Sequence, residues 1–182
     1  MNQTVRVDSL ISSPAASFEQ PFDMLHACHE RMQRMVALLQ RLREHMRTHG
    51  ADEQARDAAR DVLRYFERAA PQHHQDEELH VFPPLLAKGD PATRELVGRL
   101  QQEHLQMEEH WVVARRVLDA VAAGRLHALA AADEAALDAF SGLYAGHIAA
   151  EEQVVYPAAV ALLDAGAVQA MGKEMAQRRD AA

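Results

Sequence analysis

Two stretches of this sequence repeat one pattern at a constant offset of 74 residues. His73-His74-Gln75-Asp76-Glu77-Glu78-Leu79-His80-Val81-Phe82-Pro83 lies over His147-Ile148-Ala149-Ala150-Glu151-Glu152-Gln153-Val154-Val155-Tyr156-Pro157, and both read H-x-x-x-E-E-x-x-V-[FY]-P. In each copy the histidine and the first glutamate are spaced i, i+4, so imidazole and carboxylate project from one helix face, one turn apart. Each pair also continues an apolar line. Phe66 and Ala69 lead onto His73 and Glu77, and Phe140 and Tyr144 lead onto His147 and Glu151. A buried line should stay apolar, because an unpaired polar group there costs kilocalories. The repeat therefore demands two helices that run the same way and turn these four polar groups towards a shared interior.

The rest of the chain supplies the other walls. Alanine occurs 35 times against 19 for Val, Ile and Thr together, a helical rather than a strand composition. Leu25, Cys28, Met32, Met35, Leu39, Leu42 and Met46 form the apolar stripe of a first helix that ends at His49-Gly50. A second starts at the N-cap Asp52 and runs towards Pro83-Pro84, with Pro71 expected to kink it. A third opens on Asp90-Pro91, follows Val97, Leu100, His104, Met107, Trp111, Ala114, Leu118 and Val121, and stops near Gly124. A fourth is expected to start at Asp133 and close at Gly166. Short connections make consecutive helices antiparallel. The expected fold is all-α, an up-down-up-down four-helix bundle over residues 21–166. Residues 1–20 read as a mobile arm and 167–182 as a tail or short final helix.

Several function classes fall away. The single cysteine, Cys28, excludes an internal disulfide framework and zinc patterns built on paired cysteines. A net charge of −8 argues against nucleic acid or an anionic membrane as partner. No apolar run reaches the roughly 18 residues of a membrane-spanning helix, and residues 1–20 lack a basic start followed by an apolar stretch. The expected location is cytoplasmic.

The third helix places His104 on its seam with Glu108 one turn later, and His29 flanks the seam of the first. Antiparallel packing brings His29, His73, His104 and His147 to similar heights. Four imidazoles and two or three carboxylates then converge in an apolar interior, where carboxylates need a cation to neutralise them. Imidazole and carboxylate without thiolate suit iron, with manganese or zinc as alternatives. The competing account is two chance salt-bridged pairs on exposed faces, but it leaves the constant offset unexplained. Glu78 and Glu152 read as solvated or supporting groups. His74, His80 and His110 lie off the seams.

His29, His73-x-x-x-Glu77, His104 and His147-x-x-x-Glu151 resemble the hemerythrin-like, or HHE cation-binding, domain family, over about Pro21 to Leu163. The resemblance implies a four-helix bundle holding two iron ions, bridged by two carboxylates and an oxo or hydroxo group. By motif position Glu77 and Glu151 would bridge, and His29, His73, His104 and His147 would be terminal ligands. Oxygen-carrying hemerythrins have a fifth histidine where this sequence has Glu108. They also have an aspartate five residues after the fourth-helix histidine, where here Glu151 follows at four. Both departures point away from reversible dioxygen carriage. With Glu108 as a further ligand, the expected metal set is His29, His73, Glu77, His104, Glu108, His147 and Glu151. Two function classes follow from the resemblance. One is a domain that binds or senses O2, NO or peroxide, or handles iron. The other is an oxidase or peroxidase acting through the same centre, and a structural bundle carrying an incidental metal or none is the third alternative.

Overall fold

A computed structural model describes residues 17–180. Among them are five helices and no strand. Helix α1 spans Pro21–His49. Helix α2 runs as Glu53–Asp76, a π-helical turn Glu77–Val81, and Phe82–Lys88. Helix α3 spans Pro91–Ala122. Helix α4 comprises Ala131–Ser141, Tyr144–Ala150, a second π turn Glu151–Val155, and Tyr156–Leu162. Helix α5 spans Ala165–Asp180. Helix α1 packs on α2, α2 on α3, α3 on α4, and α4 back on α1, with α5 laid across α1. This is the all-α bundle that the seams predict.

Local chemistry sets the helix ends. Asp52 and Asp90 accept hydrogen bonds from the backbone N–H of Ala55 (2.9 Å) and Thr93 (3.0 Å), the usual role of an N-cap carboxylate. Gly50 ends α1 at φ 70°, where a Cβ would be strained. Asp133 is not the start of α4, as the sequence suggested. It lies inside the first turn and reaches back to accept from the Ala130 N–H at 2.9 Å. Gly166 does not close α4 either. That helix ends at Leu162, the chain bends by 118°, and α5 begins with Gly166 in its first turn. Of the two readings of this segment, a tail or a short final helix, the helix is the one observed, capped by Asp164, which accepts from the Ala167 N–H at 2.8 Å. The expected mobile arm lies outside the described residues except for 17–20. Of those four, Phe18 lies against α5, where a Cβ on Gly172 would clash with the Phe18 carbonyl oxygen.

The α-helical pattern continues through Pro71; apart from a break at Gly142–Leu143 in α4, the departures from it are the two π turns. Their cause lies at the end of each repeat. Pro83 and Pro157 lack an N–H and would crowd the carbonyl one turn earlier. In both helices the turn before the proline widens, so that Phe82 N–H bonds the Glu77 carbonyl and Tyr156 N–H bonds that of Glu151.

Two apolar clusters fill the interior. The larger holds Leu39, Val62, Phe66, Leu118, Phe140 and Tyr144 with their neighbours. The smaller holds Leu25, Val81, Phe82, Leu85, Leu100, Val155 and Tyr156, and α5 adds Met171 and Met175. His29 lies between Leu25 of the smaller cluster and Met32 of the larger, and His104 between Leu100 and Met107. The polar residues form a layer between two dry ones.

Candidate metal centre

Each helix of the bundle contributes to this layer. His29 comes from α1, His73 and Glu77 from α2, His104 from α3, and His147 and Glu151 from α4; all six are buried, with Glu77 and Glu151 at 0 % exposure. They form two groups of four. His29, His73, Glu77 and Glu151 make one, Glu77, His104, His147 and Glu151 the other, and within each the nearest nitrogen and oxygen atoms all lie within 4.8 Å of one another. The two carboxylates belong to both.

The atoms facing inward are consistently imidazole Nε2 and carboxylate oxygen. His29 Nε2 is 3.1 Å from Glu151 Oε2, and His73 Nε2 is 3.4 Å from Glu77 Oε1. On the other side His104 Nε2 is 3.4 Å from Glu77 Oε2, His147 Nε2 is 3.0 Å from Glu151 Oε1, and the two Nε2 atoms approach to 3.1 Å. Close as they are, Glu77 Oε2 and both oxygens of Glu151 accept no hydrogen bond among the described residues. Buried, unsatisfied carboxylate oxygens interleaved with imidazole nitrogens suit a cation and little else.

A ring of outer carboxylates sets the orientation. His29 Nδ1 pairs with Glu152 at 3.1 Å, His104 Nδ1 with Glu78 at 3.0 Å and His147 Nδ1 with Glu103 at 2.8 Å. An Nδ1–H donated outward leaves the Nε2 lone pair pointing inward, the tautomer that a metal-binding histidine requires. Glu78 and Glu152, read from sequence as solvated or supporting residues, thus each hold a histidine of a neighbouring helix. Glu103 was missed altogether. It lies on the outer side of α3 and partners a residue far away in sequence, so no periodicity marks it. The aromatic position of the repeat also has a use: Phe82 stacks on His104 and Tyr156 on His29, with centroids at 5.5 and 5.4 Å.

The seventh expected residue stays outside. Glu108 is exposed. It lines a groove of about 580 Å³ between α2 and α3 whose floor includes His74 and His104. Four residues of helix carry a side chain about 6 Å along the axis, away from the polar layer and towards the larger apolar cluster. His74, by contrast, lies off the seam yet is buried, stacked 4.1 Å from His104 with its Nε2 unpartnered among the described residues.

The electrostatics divide the carboxylates. Burial favours the neutral form of both, but His73 and then His104 hold Glu77 well below the usual carboxylate range. Burial and then the charge of Glu77 push Glu151 up to about 8. Burial pushes His73 down to about 3 and His74 well below its ordinary value. Burial also opposes charge on His29 and His104, yet their neighbours outweigh it, Glu151 for His29 and Glu77 for His104, and both end raised. Proton and ion compete for the same oxygens.

Behind the layer, Asp76 is wholly buried beside Glu77 and is gripped from α5 by Arg178 at 2.8 Å and Arg179 at 2.6 Å. Arg178 also bonds Glu174, and Glu174 pairs with His80 at 2.6 Å. The last helix thus ties down the segment that carries Glu77.

Comparison with known proteins agrees with this construction. Residues 20–159 match the family described as the hemerythrin HHE cation binding domain. A Haemophilus influenzae protein described as uncharacterized is 32 % identical over 164 residues, covering 90 % of this chain and 92 % of its own length. With the repeat, the bundle and the buried histidine–glutamate layer, the match over most of its length shows that this chain belongs to the hemerythrin HHE cation-binding domain family.

Proposed function

We propose that this domain holds two iron ions between its four helices and uses them to bind or react with O2, NO or peroxide in the cytoplasm. The observation that carries the reading is the pair of four-residue groups sharing Glu77 and Glu151. Two shared carboxylates neutralise two cations more naturally than one. His29 and His73 would hold one ion, His104 and His147 the other, with Glu77 and Glu151 between them. Iron supplies reversible one-electron chemistry and open positions for a small ligand.

The chain's own part is to orient and to exclude. Glu152, Glu78 and Glu103 fix three imidazoles, and the apolar clusters above and below keep bulk water from the layer. The groove floored by His74 and His104 brings the surface nearest to the His104 side, which makes it the route for a small ligand. The oxidase reading drew its support from Glu108 as an additional anionic ligand. With Glu108 on the groove wall, the binding reading is the stronger.

Metal analysis of protein from iron-supplied cells tests this, with optical spectra before and after anaerobic reduction and exposure to air, NO or peroxide. The expected result is close to two irons per chain, near-ultraviolet absorption in the ferric state, and a spectral change with at least one of the three ligands. One zinc per chain with no anaerobic iron uptake overturns it.

A further inference from the structure

At the aromatic position the two copies of the repeat build similar arrangements, and there they differ by one hydroxyl. Phe82 and Tyr156 occupy equivalent positions directly after the two π turns, both fully packed, each ring stacked on the histidine of a neighbouring helix. Phe82 offers His104 only a ring. Tyr156 adds a hydroxyl, which donates to Glu77 Oε1 at 2.5 Å and stands 3.2 Å from His29 Nε2. Those two atoms both face the position between His29 and His73. On the other side Glu77 Oε2 and Glu151 Oε1 accept no hydrogen bond among the described residues.

We propose that the Tyr156 hydroxyl makes the two halves of the centre unequal, so that the half built on His104 and His147 takes its ion first and the half built on His29 and His73 takes its ion second and more weakly. This rests on the two-ion reading above. An ion entering the His104 side meets free carboxylate oxygens. An ion entering the His29 side must share Glu77 Oε1 with a hydroxyl that already donates to it. A hydrogen bond to a charged acceptor is strong enough to separate the two affinities by about tenfold or more. Pairing a tyrosine with a phenylalanine turns a pseudo-symmetric cage into an ordered pair of sites.

The test is a titration of metal-free protein with Co2+, followed by calorimetry and by visible absorption of the bound ion. Wild type should bind two ions in two resolved steps. Tyr156→Phe keeps the stacked ring and should tighten the second step by about tenfold while leaving the first unchanged. A purely structural role for the ring would leave both steps as they are, because the ring is retained. His147→Gln leaves only the His29 half; its single step should match the weaker wild-type one and tighten when Tyr156→Phe is added. Phe82→Tyr is an independent check, since a hydroxyl on the other side should weaken the first step and draw the two together. Two equal steps in wild type, or a second step weakened in Tyr156→Phe, overturn the inference and leave the two-ion reading standing. Uptake of only one ion by wild type overturns the two-ion reading itself.

Discussion

The two apolar clusters on either side of the polar layer are stabilised in different ways. The larger is closed by the four bundle helices and their connecting loops, without α5, through interlocking rings such as Phe66 with Phe140 at 5.0 Å. The smaller is capped by α5 and bounded by the layer, with the buried Asp76–Arg178–Arg179 group at its side. In the first the buried charge, Arg43, is matched within the protein by Glu134 and Asp138. In the second, packing depends on charges that must be matched, by arginine at Asp76 and by cations at Glu77 and Glu151. The difference teaches that ion uptake should be felt at one end of the molecule far more than at the other.

The strongest way to break this comparison is to remove a shared ligand. Glu77→Ala should cost both ions rather than one, because Glu77 belongs to both groups. Elemental analysis should fall from close to two metals per chain to near none, while His73→Ala should spare about one. Hydrogen exchange on metal-free protein should then speed up in Glu77–Lys88 and Ala165–Asp180 but hardly in Glu53–Phe66. Uniform acceleration would show that the two ends are one cooperative unit.

Next in size is the charged group behind the layer. Replacing both Arg178 and Arg179 by alanine strands the Asp76 carboxylate, which is 0 % exposed. Breaking a buried pair from one side costs about 3–5 kcal/mol. Thermal melts should show the loss, and Asp76→Asn in the same background should recover part of it. Leu118→Ala, in the larger cluster and also 0 % exposed, should cost about 2–5 kcal/mol. Here the comparison predicts an equal loss with and without metal. A loss that depends on the ion would break it.

The pH response is smaller and has a definite sign. In metal-free protein Glu151 sits at about 8 against an ordinary 4.5, and His29 and His104 are raised above 6.5. Groups raised in the fold stabilise it fully below their unfolded values and lose that contribution as pH rises through the folded ones. His73, lowered to about 3, works oppositely and loses its contribution only as pH falls below 6.5. From pH 6.5 to 8.5 the metal-free melting temperature should therefore fall, on the order of 5 °C. The ion-loaded protein, whose Glu151 is already ionised, should stay flat. The smallest effect belongs to Glu108→Ala, an exposed residue outside both groups. Metal content should not change, and stability should stay within about 0.5 kcal/mol. Loss of an ion in this variant would return Glu108 to the centre.

How much of this was legible beforehand follows from the range of each interaction. The seams, and with them His29, His73, Glu77, His104, His147 and Glu151, follow from i, i+4 spacing, which a sequence displays directly. Glu108 shares that spacing with His104, and spacing alone does not tell which turn of a helix lies level with the layer. Glu103 and the Asp76 arginines act between helices, on faces that periodicity reads as solvent. The hinge at Leu162–Ala165 was hidden because Gly166 looks like a helix end when it is part of a new beginning. The π turns had a visible cause in Pro83 and Pro157, but a proline announces strain without announcing where the backbone will release it.

A π turn amounts to one extra residue spliced into an α-helix, and each residue advances the helix by about 100°. If α4 kept Gln153 but wound as an ordinary helix, Tyr156 would lie about 100° further round and off His29. Deleting Gln153 should instead leave Tyr156 four places past Glu151, with the same backbone hydrogen bond and the same stack on His29. The same deletion at Leu79 should leave Phe82 over His104. The splice therefore lets one continuous helix take five residues to pass from a ligand glutamate to its aromatic lid while both stay on the face towards the layer.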